Sequence, residues 1–292
     1  MQIPDHEALL SAIATVTPST FEAVAADVWL YQAHHNAVYA RYLDLLAYPR
    51  CPSAFRLDSL PFLPISCFKT QDVRTGDWPP QLTYTSSSTT GQIPSRHAVR
   101  DTAFYLENAR RCFAVHYGEP SDWCVLALLP SYLERQGSSL VAMAEDFIRR
   151  SRYAESGFFL HDFERLREVL TQCRQRGTPT LLLGVSFALL DLAEQHPMDL
   201  SGVVVMETGG MKGRRRELTR AELHERLRQA FGVEAIHSEY GMTELLSQAY
   251  AVGGPLFSPA PTLHAYAREI NDPFCPVPPG RTGLLHLIDL AN

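Results

Sequence analysis

Residues 180–206 read TLLLGVSFALLDLAEQHPMDLSGVVVM. Thr180–Leu183 is a short, mostly apolar run, which suits a strand buried on both faces. The segment 187–196 carries apolar residues at helical spacing and stops at Pro197. A second apolar run, Gly202–Met206, follows. Two buried strands joined by a helix make a crossover unit, which requires the strands to run parallel.

The same alternation continues on both sides. Leu82–Thr85, Trp123–Leu129 and Val233–His237 read as further strands, and helices are expected near 97–116, 138–151, 162–176 and 219–231. In the last of these, Thr219 and Glu222 form a capping box, Leu223, Leu227 and Phe231 share a face, and Gly232 ends the helix. Leu245–Val252, Thr262–Ile270 and Gly283–Ile288 predict additional C-terminal strands. The expected fold class is α/β, with parallel-sheet layers flanked by helices. In such sheets ligands bind beyond the C-terminal ends of the strands.

Residues 1–78 read differently from the α/β core expected over 79–292. Ser19 and Glu22 have capping-box spacing, and Phe21, Val24, Val28, Tyr39, Tyr42, Leu43 and Leu46 continue a helical pattern. Pro49 and Pro52 break it. Pro61 and Pro64 then mark residues 59–70 as an extended connector in place of a regular helix.

Composition narrows the function. The chain has 292 residues and a net charge of -6, so no electrostatic footprint for nucleic acid is present. Its six cysteines show neither CxxC nor zinc-ligand spacing, which predicts free thiols in a reducing compartment. The N-terminus has no secretion signal and the apolar runs are too short to span a bilayer, so a cytoplasmic location is expected.

Three loops carry the chemistry. YTSSSTTGQIPSRH (84–97) passes from a strand through Ser86, Ser87, Ser88, Thr89, Thr90 and Gly91 towards a helix expected near His97. Its hydroxyl and N–H donors suit a polyphosphate, although it lacks the glycine and lysine of a P-loop; the other reading is a Ser/Thr linker. VVVMETGGMKGRRREL (203–218) leaves a strand through Thr208, Gly209 and Gly210, where a flat ring or a phosphate can approach the backbone. Its basic run, Lys212 and Arg214–Arg216, reads as solvated surface. VEAIHSEYGMTELLSQAY (233–250) places Tyr240, Gly241, Thr243 and Glu244 in a turn, with Thr243 suited to a phosphate oxygen and Glu244 to Mg²⁺; a Thr–Glu cap at a strand end is the alternative.

The order and content of these loops resemble the adenylate-forming superfamily of acyl-CoA synthetases and related ligases. LPFLPISCFKT, ETGGMKGR, SEYGMTELLSQAY and RTGLLHLIDLAN are similar to the LuxE-type acyl-protein synthetase family, over roughly residue 35 to the end. The resemblance implies an acid–thiol ligase that activates a carboxylic acid, fatty by the family's name, to an acyl-adenylate with ATP and Mg²⁺. The acyl group would pass to a thiol of a protein cysteine, a carrier protein or CoA, with an acyl-reductase or carrier as partner. It further implies that Ser86–Gly91 wrap the β- and γ-phosphates, that Thr243 meets the α-phosphate and that Glu244 binds the metal. Thr208, Gly209, Gly210, Tyr240 and Gly241 would line the nucleotide, and Gly184, Ser186 and Phe187 would border the acyl pocket.

Two departures stand out. The loop lysine of most superfamily members is missing, with Arg96 the nearest cation. The small C-terminal domain of the family, which carries a catalytic lysine or the acyl-accepting cysteine, is expected to be absent from this chain. Alternatives are a phenylacetate-type acyl-CoA ligase, a non-catalytic nucleotide-binding module, and a serine hydrolase using Ser186 with His237 or His264 on the nucleophile-elbow-like GVS turn.

Overall fold

In a computed structural model of the chain, residues 3–50, 55–87, 93–130, 137–209 and 218–292 are described. The centre is a seven-stranded sheet in the order β4-β3-β5-β6-β7-β8-β9. Its strands are β3 (Cys124–Leu128), β4 (Gly157–Phe158), β5 (Thr180–Val185), β6 (Val203–Thr208), β7 (His237–Tyr240), β8 (Ala249–Ala251) and β9 (Ser258–Pro259). The first five run parallel, and β8 and β9 extend the sheet antiparallel. Every residue of β3 and β5 is buried, as their unbroken apolar sequences require. A fully buried leucine such as Leu126 or Leu182 contributes roughly 1.5–3 kcal/mol through removal from water.

The helices α6 (Ser139–Arg150), α7 (Phe163–Arg176), α8 (Ser186–Gln195) and α9 (Arg220–Phe231) make the crossovers, preceded by α5 (Thr102–Tyr117). The chain steps from β3 to β4 in one direction and from β4 through β5, β6 and β7 in the other. Right-handed crossovers therefore put α6 on one face and α7, α8 and α9 on the other. The packing agrees, with α5 against α6 and α8 against α9. The order reverses between β3 and β5, and a crevice opens at the C-terminal end of such a reversal. The expected Thr219–Glu222 capping box forms in α9, and Gly232 closes it at φ 61°.

Several sequence expectations shift. The residues expected to open a helix at His97 instead form β2 (Arg96–Val99), paired antiparallel with β1 (Leu82–Thr85). His97 and Val99 turn inward, a period of two, and α5 starts later, where Asp101 accepts from the N–H groups of Ala103 and Phe104. Val233–Ile236 precede β7 rather than forming it. Only Ala249–Ala251 of the expected strand 245–252 is extended in the sheet. The other two C-terminal strands, β10 (Leu263–Arg268) and β11 (Leu284–Asp289), pair as a separate antiparallel hairpin.

The lead contains α1 (His6–Ala14), α2 (Phe21–His35) and α3 (Ala37–Leu45). The Ser19–Glu22 capping box does not form. Thr20 is the N-cap without a side-chain cap bond, because its hydroxyl accepts from the N–H of Thr17 at 2.9 Å. Asn36 divides α2 from α3 and caps the latter, accepting from the Tyr39 N–H at 3.0 Å. The connector is extended around its prolines and closes into the short helix α4 (Cys67–Thr70). Trp29 donates to the Tyr39 hydroxyl at 2.9 Å, which donates to the Pro61 carbonyl at 2.8 Å, so the connector is tied to the lead. Leu9, Phe21 and Val28 pack with Leu290, next to β11.

Candidate active site

The strand register brings the strand ends that lead into two of the predicted loops, those after β6 and β7, to one end of the sheet. Thr208 pairs with Glu239 across β6 and β7, and Gly184 of β5 pairs with Glu207. Alternation then divides the acidic side chains between the two faces. On the α9 face, Glu207 accepts from Ser186 Oγ at 3.2 Å and lies 3.5 Å from His224 Nε2, which is 3.3 Å from Ser238 Oγ. On the α5 face, the Thr208 hydroxyl donates to the Glu239 carboxylate. Burial pushes the Glu239 carboxyl up to about 7; the Thr208 hydrogen bond opposes the shift and the charge of Glu207 adds to it.

Tyr240 ends β7, its hydroxyl 3.2 Å from Met242 Sδ and its ring edge-on to Phe257. Burial raises its pKa above the usual phenol value. Gly241 comes next with an ordinary φ, so conformation does not demand glycine there. Space does: a Cβ at this position would lie 2.5 Å from Glu239 Oε1. Thr243 and Glu244 form the following turn. The Glu244 side chain is buried, and its carboxylate has no hydrogen-bond or ion-pair partner among the described residues.

The hydroxyl-rich loop meets this turn through β2. His97 Nδ1 donates to the Thr243 carbonyl at 2.8 Å, which fixes the tautomer, and burial lowers the His97 pKa. Ser86 is held at the hairpin base, its Oγ accepting from the Ser95 N–H at 2.9 Å, and Ser87 is exposed. Ser88, Thr89, Thr90 and Gly91 lie outside the described residues, as do Gly210, Lys212 and Arg214–Arg216. Arg96, the stand-in for the loop lysine, is exposed at the start of β2.

Ser186 joins the fourth strand end to the site. It opens α8 and its hydroxyl donates to the Gly209 carbonyl at 2.6 Å. Neither histidine of the hydrolase alternative partners it: His237 bonds the Tyr117 hydroxyl at 2.9 Å, and His264 stacks on Tyr266. Gly184 is packed beneath Leu189 and Leu128, where a Cβ would come within 2.8 Å and 3.0 Å, and Phe187 is buried.

Sequence reasoning missed Glu239, Glu207 and His97 as members of this site. A carboxylate inside an otherwise inward-facing strand position was the available signal for Glu239. For His97 none existed, since its partner is 146 positions away. No group of three or more potential metal ligands occurs among the described residues. No helix there is long and apolar enough to cross a membrane.

Comparison with protein-family models and with curated proteins gives no match. Solved structures do match. An open conformation of 2-hydroxyisobutyryl-CoA ligase, in complex with 2-HIB-AMP and CoA, aligns over 99% of this chain and 71% of that one, at 12% identity and a TM-score of 0.60. The same ligase in its postadenylation state with 2-HIB-AMP gives 0.63 at 12% identity, over 99% of this chain and 64% of that one. McyG A-PCP complexed with phenylalanyl-adenylate gives 0.50 at 17% identity, over 76% and 42%. The chain thus spans 71%, 64% and 42% of the length of these proteins. Its fold, a mostly parallel sheet flanked by helices, is the one these ligase structures share.

Proposed function

We propose that this chain is the nucleotide-binding core of an enzyme that activates a carboxylic acid with ATP. One observation carries the reading: among the described residues, the ends of the three chemically distinctive loops are joined by hydrogen bonds near the C-terminal ends of β6 and β7. Thr208 is bonded to Glu239 beside Tyr240, and His97 ties the hydroxyl-rich hairpin to Thr243. The likeness to ligase structures holding acyl-AMP compounds supports the same reading.

A carboxylate oxygen of the acid attacks the α-phosphorus of ATP. The new O–P bond forms as the bond to the β-phosphate bridging oxygen breaks, leaving an acyl-adenylate and pyrophosphate. A thiolate then attacks the acyl carbon and AMP departs. No protein nucleophile takes part, so catalysis rests on positioning and on charge stabilisation. Thr243 meets the α-phosphate; Ser86, Ser87 and the loop to Gly91 receive the β- and γ-phosphates. Thr208, Gly209, Gly210, Tyr240 and Gly241 border the nucleoside. Gly184, Ser186 and Phe187 stand behind the acid's side of the site.

Glu244 fits a Mg²⁺ ligand, since a carboxylate with no hydrogen-bond or ion-pair partner among the described residues is a hard oxygen donor left open. When bound, the metal neutralises charge that develops on the phosphates.

The substrate reading is a fatty acid delivered to a protein thiol, as in the LuxE-type synthetases, with an acyl-reductase or carrier as partner; CoA as acceptor, as in the phenylacetate-type ligases, is the rival. The test is acid-dependent exchange of labelled pyrophosphate into ATP, across fatty, aryl and amino acids. Exchange with one acid class, abolished in Thr243→Ala, supports the reading. Binding of ATP without exchange for any acid overturns it in favour of a binding module.

A further inference from the structure

The segment Thr243–Ser247 lies between β7 and β8 and belongs to neither strand, so the sheet ladder leaves its backbone groups unpaired. Side chains from distant parts of the sequence pair them instead. His97 of β2 donates to the Thr243 carbonyl at 2.8 Å. Asn292 Nδ2 donates to the Glu244 carbonyl at 2.7 Å. The Asp289 carboxylate, at the end of β11, accepts from the N–H groups of Leu246 at 2.7 Å and Ser247 at 3.0 Å. Its other oxygen accepts from the Ser247 hydroxyl at 2.6 Å and from the Ala291 N–H at 3.1 Å. Asn108 of α5, almost wholly buried, donates to the Leu246 carbonyl at 2.9 Å. The Asn292 carbonyl in turn accepts from Gln32 of α2 at 2.8 Å, which links the helical lead to the same turn.

We propose that Asp289 and Asn292, with His97 as their counterpart from β2, are positioning residues that set the backbone of the Thr243–Glu244 turn and hence its hold on Mg²⁺-ATP. The chemistry explains the choice of residue types. A carboxylate accepting two adjacent N–H groups fixes the path of the chain through both, and a charge-assisted bond of this kind is about twice as strong as a neutral one. An amide and an imidazole N–H supply the donors that two consecutive carbonyls need. The β10–β11 hairpin pairs with no strand of the main sheet. Its end at Asp289 nevertheless reaches the turn, which gives the hairpin a part in the site. This inference rests on the nucleotide reading for its function and on geometry alone for the clamp.

The experiment has two arms, run on wild type, Asp289→Asn and Asn292→Ala, with Asn292→Gln as the conservative variant. The first is hydrogen–deuterium exchange of the peptide covering 242–250. The second is calorimetric titration with Mg²⁺-ATP. Because Asn292 is exposed, its substitution leaves the fold in place even if Asp289→Asn does not fold. Loss of the clamp is expected to speed exchange at Leu246 and Ser247 by roughly tenfold or more, with the β5 peptide unchanged. The Kd for Mg²⁺-ATP should rise by a similar factor, and Asn292→Gln should recover part of it. Unchanged exchange in Asn292→Ala and in any folded Asp289→Asn overturns the clamp. Faster exchange with an unchanged Kd overturns its positioning role. A wild-type chain that binds no Mg²⁺-ATP overturns the nucleotide reading instead, and the exchange arm then decides the clamp alone.

Discussion

Gly241 exists to make room for Glu239. A Cβ at 241 would meet Glu239 Oε1 at 2.5 Å, and that carboxylate cannot swing aside freely because Thr208 holds it inside the sheet. Gly241→Ala is therefore expected to destabilise the fold by about 1–3 kcal/mol, the usual cost of overpacking. In a Glu239→Ala background the same substitution should cost far less, since the colliding oxygen is gone. Urea unfolding of the four proteins in the cycle measures this. Equal costs in the two backgrounds would place the glycine requirement elsewhere.

Glu239 also predicts a pH dependence. Its folded carboxyl keeps the proton to about pH 7, whereas an unfolded glutamate releases it near 4.5. The folded state binds more protons between these values. Stability from this group is therefore fully present below pH 4.5 and lost as the pH rises through 7. Glu239→Gln has no proton to lose, so its stability relative to wild type should climb by about 3 kcal/mol from pH 4.5 to 8. Denaturant unfolding at those two pH values checks it. A difference that stays flat would mean that Glu239 is ionised in the fold throughout.

These predictions show which parts were legible in the sequence. The β5–α8–β6 unit was readable because each strand contains an apolar run, Leu181–Val185 and Val203–Met206, and Pro197 stops the helix between them. The capping box at Thr219 was readable because its partners are three residues apart. β2 was not: Arg96–Val99 is only four residues long, and its alternation was hidden against the helix that follows. Gly241 was legible only as part of a turn; the side chain that demands a glycine there, Glu239, shows only in the fold. The contacts of Asp289 and Asn108 with the turn carry no local signal, because those partners are more than 40 and more than 130 positions away.

Ser186 tests the hydrolase alternative. Its hydroxyl is committed to the Gly209 carbonyl and Glu207, with no histidine in hydrogen-bond contact. Hydrolysis of activated aryl esters by the wild type should not exceed the buffer rate. Ser186→Ala should lower stability by about 1–2 kcal/mol, the price of a buried hydrogen bond. Ester hydrolysis that disappears in Ser186→Ala would restore the nucleophile reading.

Glu244 offers a prediction in which function moves and stability does not. A structural carboxylate is expected to have donors around it, and removing it exposes them. The Glu244 carboxylate has no such donor among the described residues, and its oxygens are not enclosed, so replacing it leaves no buried donor unpaired. Glu244→Gln should therefore keep the melting temperature while weakening Mg²⁺-ATP binding by tenfold or more. Binding of ATP without the metal should change much less, which separates a metal ligand from a general loss of the site. Thermal unfolding and calorimetric titration with and without Mg²⁺ give the three numbers. A lower melting temperature with unchanged Mg²⁺-ATP affinity would make Glu244 part of the scaffold and move the metal ligand elsewhere.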